Sequence, residues 1–254
     1  MTDALRSGEG SAARRVPDAG VSGLGLLAVY AAAQTAGLVL SGIVVALDVG
    51  ASPAALRLLL VRLSYWLSSP LFLVAAVAGV WLGRGRAGAG RRLARWPGLL
   101  ALLIGALAGL VLKLGADVIA VAEQWLAGPI VGNNPMTLYP QAFRGLAAQL
   151  VLVAVVCLVA PAAEELFFRG MLFGWLRRRL PRWLAVCLAG VVFGLAHVDP
   201  ASGSALMASL PLVLPLGFVG AGLCLLYERY GSLWVPAAAH AAVNFSAMAL
   251  VLRV

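Results

Sequence analysis

Apolar residues run along this chain in long, nearly unbroken blocks, separated by short polar or arginine-rich connections. A bilayer core of about 30 Å takes roughly 20 residues of helix. That length divides the chain into seven candidate spans, at about 22–47, 62–83, 98–126, 147–176, 183–198, 205–227 and 233–252. The pattern predicts an all-α polytopic membrane protein enclosing a polar cavity. Residues 1–20 are polar and weakly patterned, a solvated tail, and 21–254 form one transmembrane helical domain. The first apolar run is longer than a signal-peptide core and has no clear cleavage site, so it is expected to stay as a helix. Trp66, Trp81, Trp96, Trp125, Trp175, Trp183 and Trp234 are expected near segment ends, as an aromatic belt.

Composition removes the soluble alternatives. Hydrophobic residues make up 62% of the chain and charged ones 11%, with a mean hydropathy of +0.97. The net charge of +9 would suggest nucleic acid in a soluble protein, but 18 of the 19 cations are arginine and most occupy short runs between spans. Arg84, Arg86, Arg91, Arg92 and Arg95 fill one connection, and Arg177, Arg178, Arg179 and Arg182 another. Such runs orient membrane proteins with their basic loops inside, which puts the N-terminus in the cytoplasm, in a bacterial-type plasma membrane, and leaves no role for nucleic acid. Cys157, Cys187 and Cys224 show no metal or redox spacing and read as small core residues. Gly79/Gly83 and Gly105/Gly109 are small-xxx-small pairs suited to close helix contacts.

Ionisable side chains inside apolar spans are costly, and each needs a partner or a function. Lys113 and Asp117 are one turn apart and are expected to neutralise each other. The rest form a group: Glu164, Glu165, Arg169, His197, His240 and Asn244, including both histidines of the chain. Counted from the nearest arginine at about 1.5 Å per residue, Glu164, His197, His240 and Asn244 lie roughly 17–23 Å deep. Three helices thus deliver polar groups to one level. Neighbours on a helix point about 100° apart, whereas i,i+4 residues share a face. Glu165 is therefore assigned to Arg169, and Glu164 to the cavity as general base. His240 and Asn244 share a face and suit an oxyanion site, with His197 helping Glu164 to orient water.

Glu164-Glu165-Leu-Phe-Phe-Arg169-Gly170, Phe193-x-x-x-His197 and His240-x-x-x-Asn244, in this order, resemble the CPBP intramembrane proteases. That family includes type II CAAX prenyl endopeptidases and bacteriocin-processing or immunity (Abi) proteins. The resemblance covers about residues 145–250. It implies an intramembrane endopeptidase in which Glu164 and His197 activate water, His240 and Asn244 stabilise the oxyanion, and Glu165, Arg169 and Phe193 support them. It also implies membrane-associated substrates, prenylated CAAX-like tails among them, entering from the cytosol or laterally. Many members have eight spans, and an eighth helix would fall around 98–146.

Family members are commonly labelled metalloproteases. Zinc would require Glu164, His197 and His240 to converge from three helices, with no His-Glu-x-x-His motif present. Asn244 beside the second histidine favours metal-free glutamate chemistry, so no cofactor is expected and zinc is the alternative. The competing function is a non-catalytic immunity or partner-binding membrane protein of the same fold. A proton-coupled transporter is disfavoured, because the first half offers only Lys113 and Asp117 and no repeat is evident.

Overall fold

The computed structural model describes residues 21–47, 53–82, 95–128, 140–198 and 210–251. Seven helices and no strand occur among them: α1 (Gly23–Leu47), α2 (Pro53–Leu82), α3 (Leu99–Ala127), α4 (Leu146–Arg177), α5 (Arg182–Leu195), α6 (Val213–Tyr230) and α7 (Trp234–Val251). Three stretches are long and apolar enough to cross a membrane: Ala54–Leu82, Leu99–Leu126 and Leu146–Arg177. The outward face of α3 is almost wholly apolar, presenting Leu100, Leu103, Leu107, Val111, Leu114 and Val118. In water such a face would be a liability. A bilayer removes the cost, and the chain is an all-α membrane protein.

Most predicted segments match these helices to within a few residues, but two depart. α6 runs Val213–Tyr230 after a 3-10 turn at Leu210–Leu212, against the predicted 205–227. The second helix begins at Pro53, well before residue 62. Arginine is a good helix former, so the charges that interrupt the apolar run do not interrupt the helix, and the Arg62 Nε–H finds a backbone acceptor in the Ala142 carbonyl. Trp66 consequently lies mid-helix, beside a core cluster built on Leu152, Phe143 and Met248, and is not a belt residue. Cys157 and Cys224 are buried as expected, but Cys187 is exposed. The buried face of α5 is made by Ala185, Val186, Ala189, Gly190 and Phe193, and residue 187 falls on the opposite side of the turn. The tail 1–20, the loop arginines 84–92, Gly83 and residues 199–209 lie outside the described residues.

Two close backbone approaches set the helices that carry the histidines. A Cβ on Gly109 of α3 would sit 2.1 Å from the Ala239 carbonyl oxygen of α7, and one on Gly190 of α5 would sit 2.6 Å from the Gly217 carbonyl oxygen of α6. Only glycine allows these crossings. The main core packs Phe167, Phe168, Met171 and Phe173 of α4 against α1, α2, α5 and α6. At one end of the bundle, Glu228 of α6 pairs with Arg177 of α4 (3.1 Å) and Arg182 of α5 (2.5 Å). At the start of α7, Ser232 Oγ–H donates to the Arg95 carbonyl (2.6 Å). Arg179 and Arg182 lie over Trp175 and Trp183 at 4.2 and 4.5 Å, so charge and aromatic belt share this end.

Candidate active site

The site begins with the winding of α4. This helix passes through π-helical turns at Val155–Val159 and Leu166–Phe173, a distortion common at functional sites. In the first, the Ala160 N–H bonds to the Val155 carbonyl, five residues back. The next donor in that register would be residue 161, reaching Val156, and residue 161 is proline. A proline has no N–H to give. The freed Val156 carbonyl instead accepts a hydrogen bond from Asn244 Nδ2 of α7 at 2.8 Å. One amide proton of Asn244 is thereby used, and the other amide N–H and Oδ1 remain.

The six-residue α-helical stretch between the π turns, Ala160–Glu165, carries both glutamates, and they part as their phase requires. Glu165 is fully buried and receives Arg169 Nη1 on its Oε1 at 2.8 Å. Arg169 also donates from Nη2 to the Gly220 carbonyl (3.1 Å) and lies 4.6 Å over the Phe193 ring. The same Glu165 Oε1 accepts from His240 Nδ1 at 2.8 Å. Glu164 turns the other way. Its Oε2 lies 3.6 Å from His197 Nε2 and 3.8 Å from His240 Nε2. That oxygen is buried and has no direct hydrogen-bond partner among the described residues.

His197 stands in the turn just after α5, where its backbone N–H bonds to the Gly194 carbonyl. Its Nδ1 lies 2.8 Å from the Phe193 carbonyl. A carbonyl only accepts, so Nδ1 carries the proton and, in the neutral ring, Nε2 presents a lone pair towards Glu164. His240 obeys the same logic, because its Nδ1 faces a carboxylate. Phe193 packs against both imidazoles, with ring centroids 4.6 Å from His197 and 5.5 Å from His240.

Glu164, His197 and Asn244 line a cavity of about 390 Å³. His240 does not line it and is 3% exposed. Sequence reasoning missed the part of the lining supplied by Tyr30 and Gln34 of α1 with Tyr65, Ser68 and Ser69 of α2. Attention to charge alone hides them. The available signal was uncharged polar residues at helical spacing, Tyr30/Gln34 and Tyr65/Ser68/Ser69, within apolar spans. Among the described residues, no group of three or more His, Cys, Asp or Glu side chains is disposed to hold a metal ion.

A family model matches the segment that carries Glu164, His197, His240 and Asn244. Residues 146–246 match the family described as type II CAAX prenyl endopeptidase Rce1-like. A Bacillus subtilis (strain 168) protein named "Putative membrane peptidase YdiL" is 32% identical over 94 residues, which is 37% of this chain and 34% of that protein. The match thus spans about a third of that relative's length. No solved structure matches significantly. The stretch that supplies Glu164, His197, His240 and Asn244 is therefore the stretch that matches the Rce1-like CAAX endopeptidases, a family of membrane proteases.

Proposed function

We propose that this chain is an intramembrane endopeptidase that hydrolyses membrane-anchored peptides with a water activated by Glu164. The observation that carries the reading is the buried Glu164 Oε2, flanked at 3.6 and 3.8 Å by imidazole nitrogens from two other helices. These separations are too long for direct hydrogen bonds. Glu164 and His197 both line the cavity, from which a water can be drawn between the carboxylate and an imidazole lone pair.

In the attack, the water oxygen bonds to the peptide carbonyl carbon as its proton passes to Glu164, with His197 Nε2 accepting the second O–H hydrogen bond and orienting the lone pair. The carbonyl oxygen becomes an oxyanion. It receives the free amide N–H of Asn244 and, when His240 is an imidazolium, its Nε2–H. Glu165 on Nδ1 balances that positive charge, and Arg169 and Phe193 hold Glu165 and the rings in place. Collapse breaks the C–N bond, and Glu164 returns its proton to the leaving nitrogen. No step requires a metal.

The arginine-rich end, with Arg177, Arg179, Arg182 and Arg229, supports placing that end and the N-terminus in the cytoplasm. The test compares purified wild type with Glu164→Gln on membrane-anchored and prenylated peptides, with and without chelator, reading products by mass. A product made only by wild type, and unaffected by chelation, is expected. Equal cleavage by Glu164→Gln would remove the assignment, and loss on chelation with recovery on zinc would replace the metal-free mechanism.

A further inference from the structure

The part of the cavity lining that comes from α1 and α2 has a chemistry of its own. α2 packs directly against the Ala160–Glu165 stretch of α4 and against α1, so Gln34, Ser68 and Ser69 border the same space as Glu164 and His197. A serine inside a helix ordinarily satisfies its hydroxyl on the carbonyl four residues back, as Ser64 does on Leu60 at 2.8 Å. Ser68 and Ser69, one turn further on, line the cavity instead. Two hydroxyls and a primary amide in an apolar span are costly unless something polar meets them. Among the described lining residues, none is Lys or Arg, and Glu164 is the one carboxylate.

A lining of neutral donors and acceptors, sharing one cavity with a carboxylate and without a Lys or Arg, matches the amide groups of a peptide backbone and repels a free carboxylate. Resting on the endopeptidase reading, we propose that Gln34, Ser68 and Ser69 form a subsite that holds the backbone amides of the substrate. The cavity then accepts an uncharged stretch of peptide, with its scissile carbonyl turned towards Glu164. Tyr30, one turn before Gln34, closes the α1 side of this wall through its ring contacts with Phe72 (6.1 Å) and Phe167 (5.8 Å). These residues determine specificity and take no part in the proton transfers.

The probe is a fluorescent, N-acylated peptide of Ala, Leu and Ser in detergent micelles, beside a twin carrying one Asp next to the centre. Binding is measured on Glu164→Gln, which holds substrate without cutting it, alone and combined with Ser68→Ala/Ser69→Ala or Gln34→Met. Cleavage is measured on the wild-type background with the same replacements. Each replacement should weaken binding and raise KM about tenfold, the loss of one or two ordinary hydrogen bonds. The turnover number and the unfolding temperature should stay unchanged, and on the wild-type background, where the Glu164 carboxylate is present, the Asp twin should show a KM at least tenfold higher.

Unchanged KM and binding in both variants, or an equal KM for the Asp twin on the wild-type background, would overturn the subsite. So would failure of Glu164→Gln to bind the uncharged probe. If the replacements weaken binding while wild type cleaves nothing, the subsite stands and the endopeptidase reading falls.

Discussion

Two ion pairs in this molecule have the same spacing and opposite fates. Lys113 and Asp117 on α3, and Glu165 and Arg169 on α4, are each i,i+4 pairs in a long apolar helix. The first pair sits on an outward face, with the two side chains 19% and 56% exposed, and Lys113 spends its bonds on both oxygens of Asp117. The second is 1% exposed at both ends. It passes its polarity on: Glu165 Oε1 also holds His240, and Arg169 also reaches the Gly220 carbonyl and the Phe193 ring. Spacing makes a pair, and burial decides whether the pair organises anything else.

The contrast can be broken most forcefully at Glu165. Glu165→Gln leaves Arg169 charged in a fully buried site, and removing one partner of a buried pair costs about 3–5 kcal/mol. Thermal unfolding in detergent should show that loss, together with reduced turnover, because His240 loses the carboxylate on its Nδ1. A variant that melts with wild type would show that the buried pair organises nothing. The double variant Glu165→Gln/Arg169→Met should recover part of the stability and none of the activity. A full return of turnover would break the link from this pair to His240.

A smaller effect is expected at Phe193→Leu. It removes the ring beneath the Arg169 guanidinium, worth about 1–2 kcal/mol in a desolvated setting, and loosens both imidazoles. The measurement is the ratio of turnover loss to stability loss. Turnover falling further than the stability change accounts for would show that the ring positions the histidines, and strict proportion would reduce it to packing. The smallest change belongs to the outward pair. Lys113→Met/Asp117→Leu removes a pair that serves only itself and should move stability by less than about 1 kcal/mol, with turnover unchanged. A large loss of activity there would erase the distinction between the two pairs.

Much of this was legible before any fold. Long apolar blocks predict the helices, and the i,i+4 rule predicts both ion pairs and the turning of Glu164 away from Glu165. The errors have a common cause. A span starting near 62 puts Trp66 at its end, yet the helix starts at Pro53 and Arg62 is carried within it by the Ala142 carbonyl. The apolar neighbours of Cys187 predict a core position, yet it is exposed, because a helix at a membrane face is apolar on both sides and hydrophobicity no longer marks the inside.

The amino-acid sequence by itself determined the helical segments, the three motifs and the pairings within one turn, because hydrogen bonding and side-chain phase in a helix are local. Tertiary structure decided which nitrogen of each histidine faces Glu164, that Asn244 spends an amide proton on Val156, and that α1 and α2 contribute a polar wall. Those outcomes depend on how separate helices cross. The crossings are set by contacts such as Gly109 on Ala239 and Gly190 on Gly217, far from the side chains they bring together.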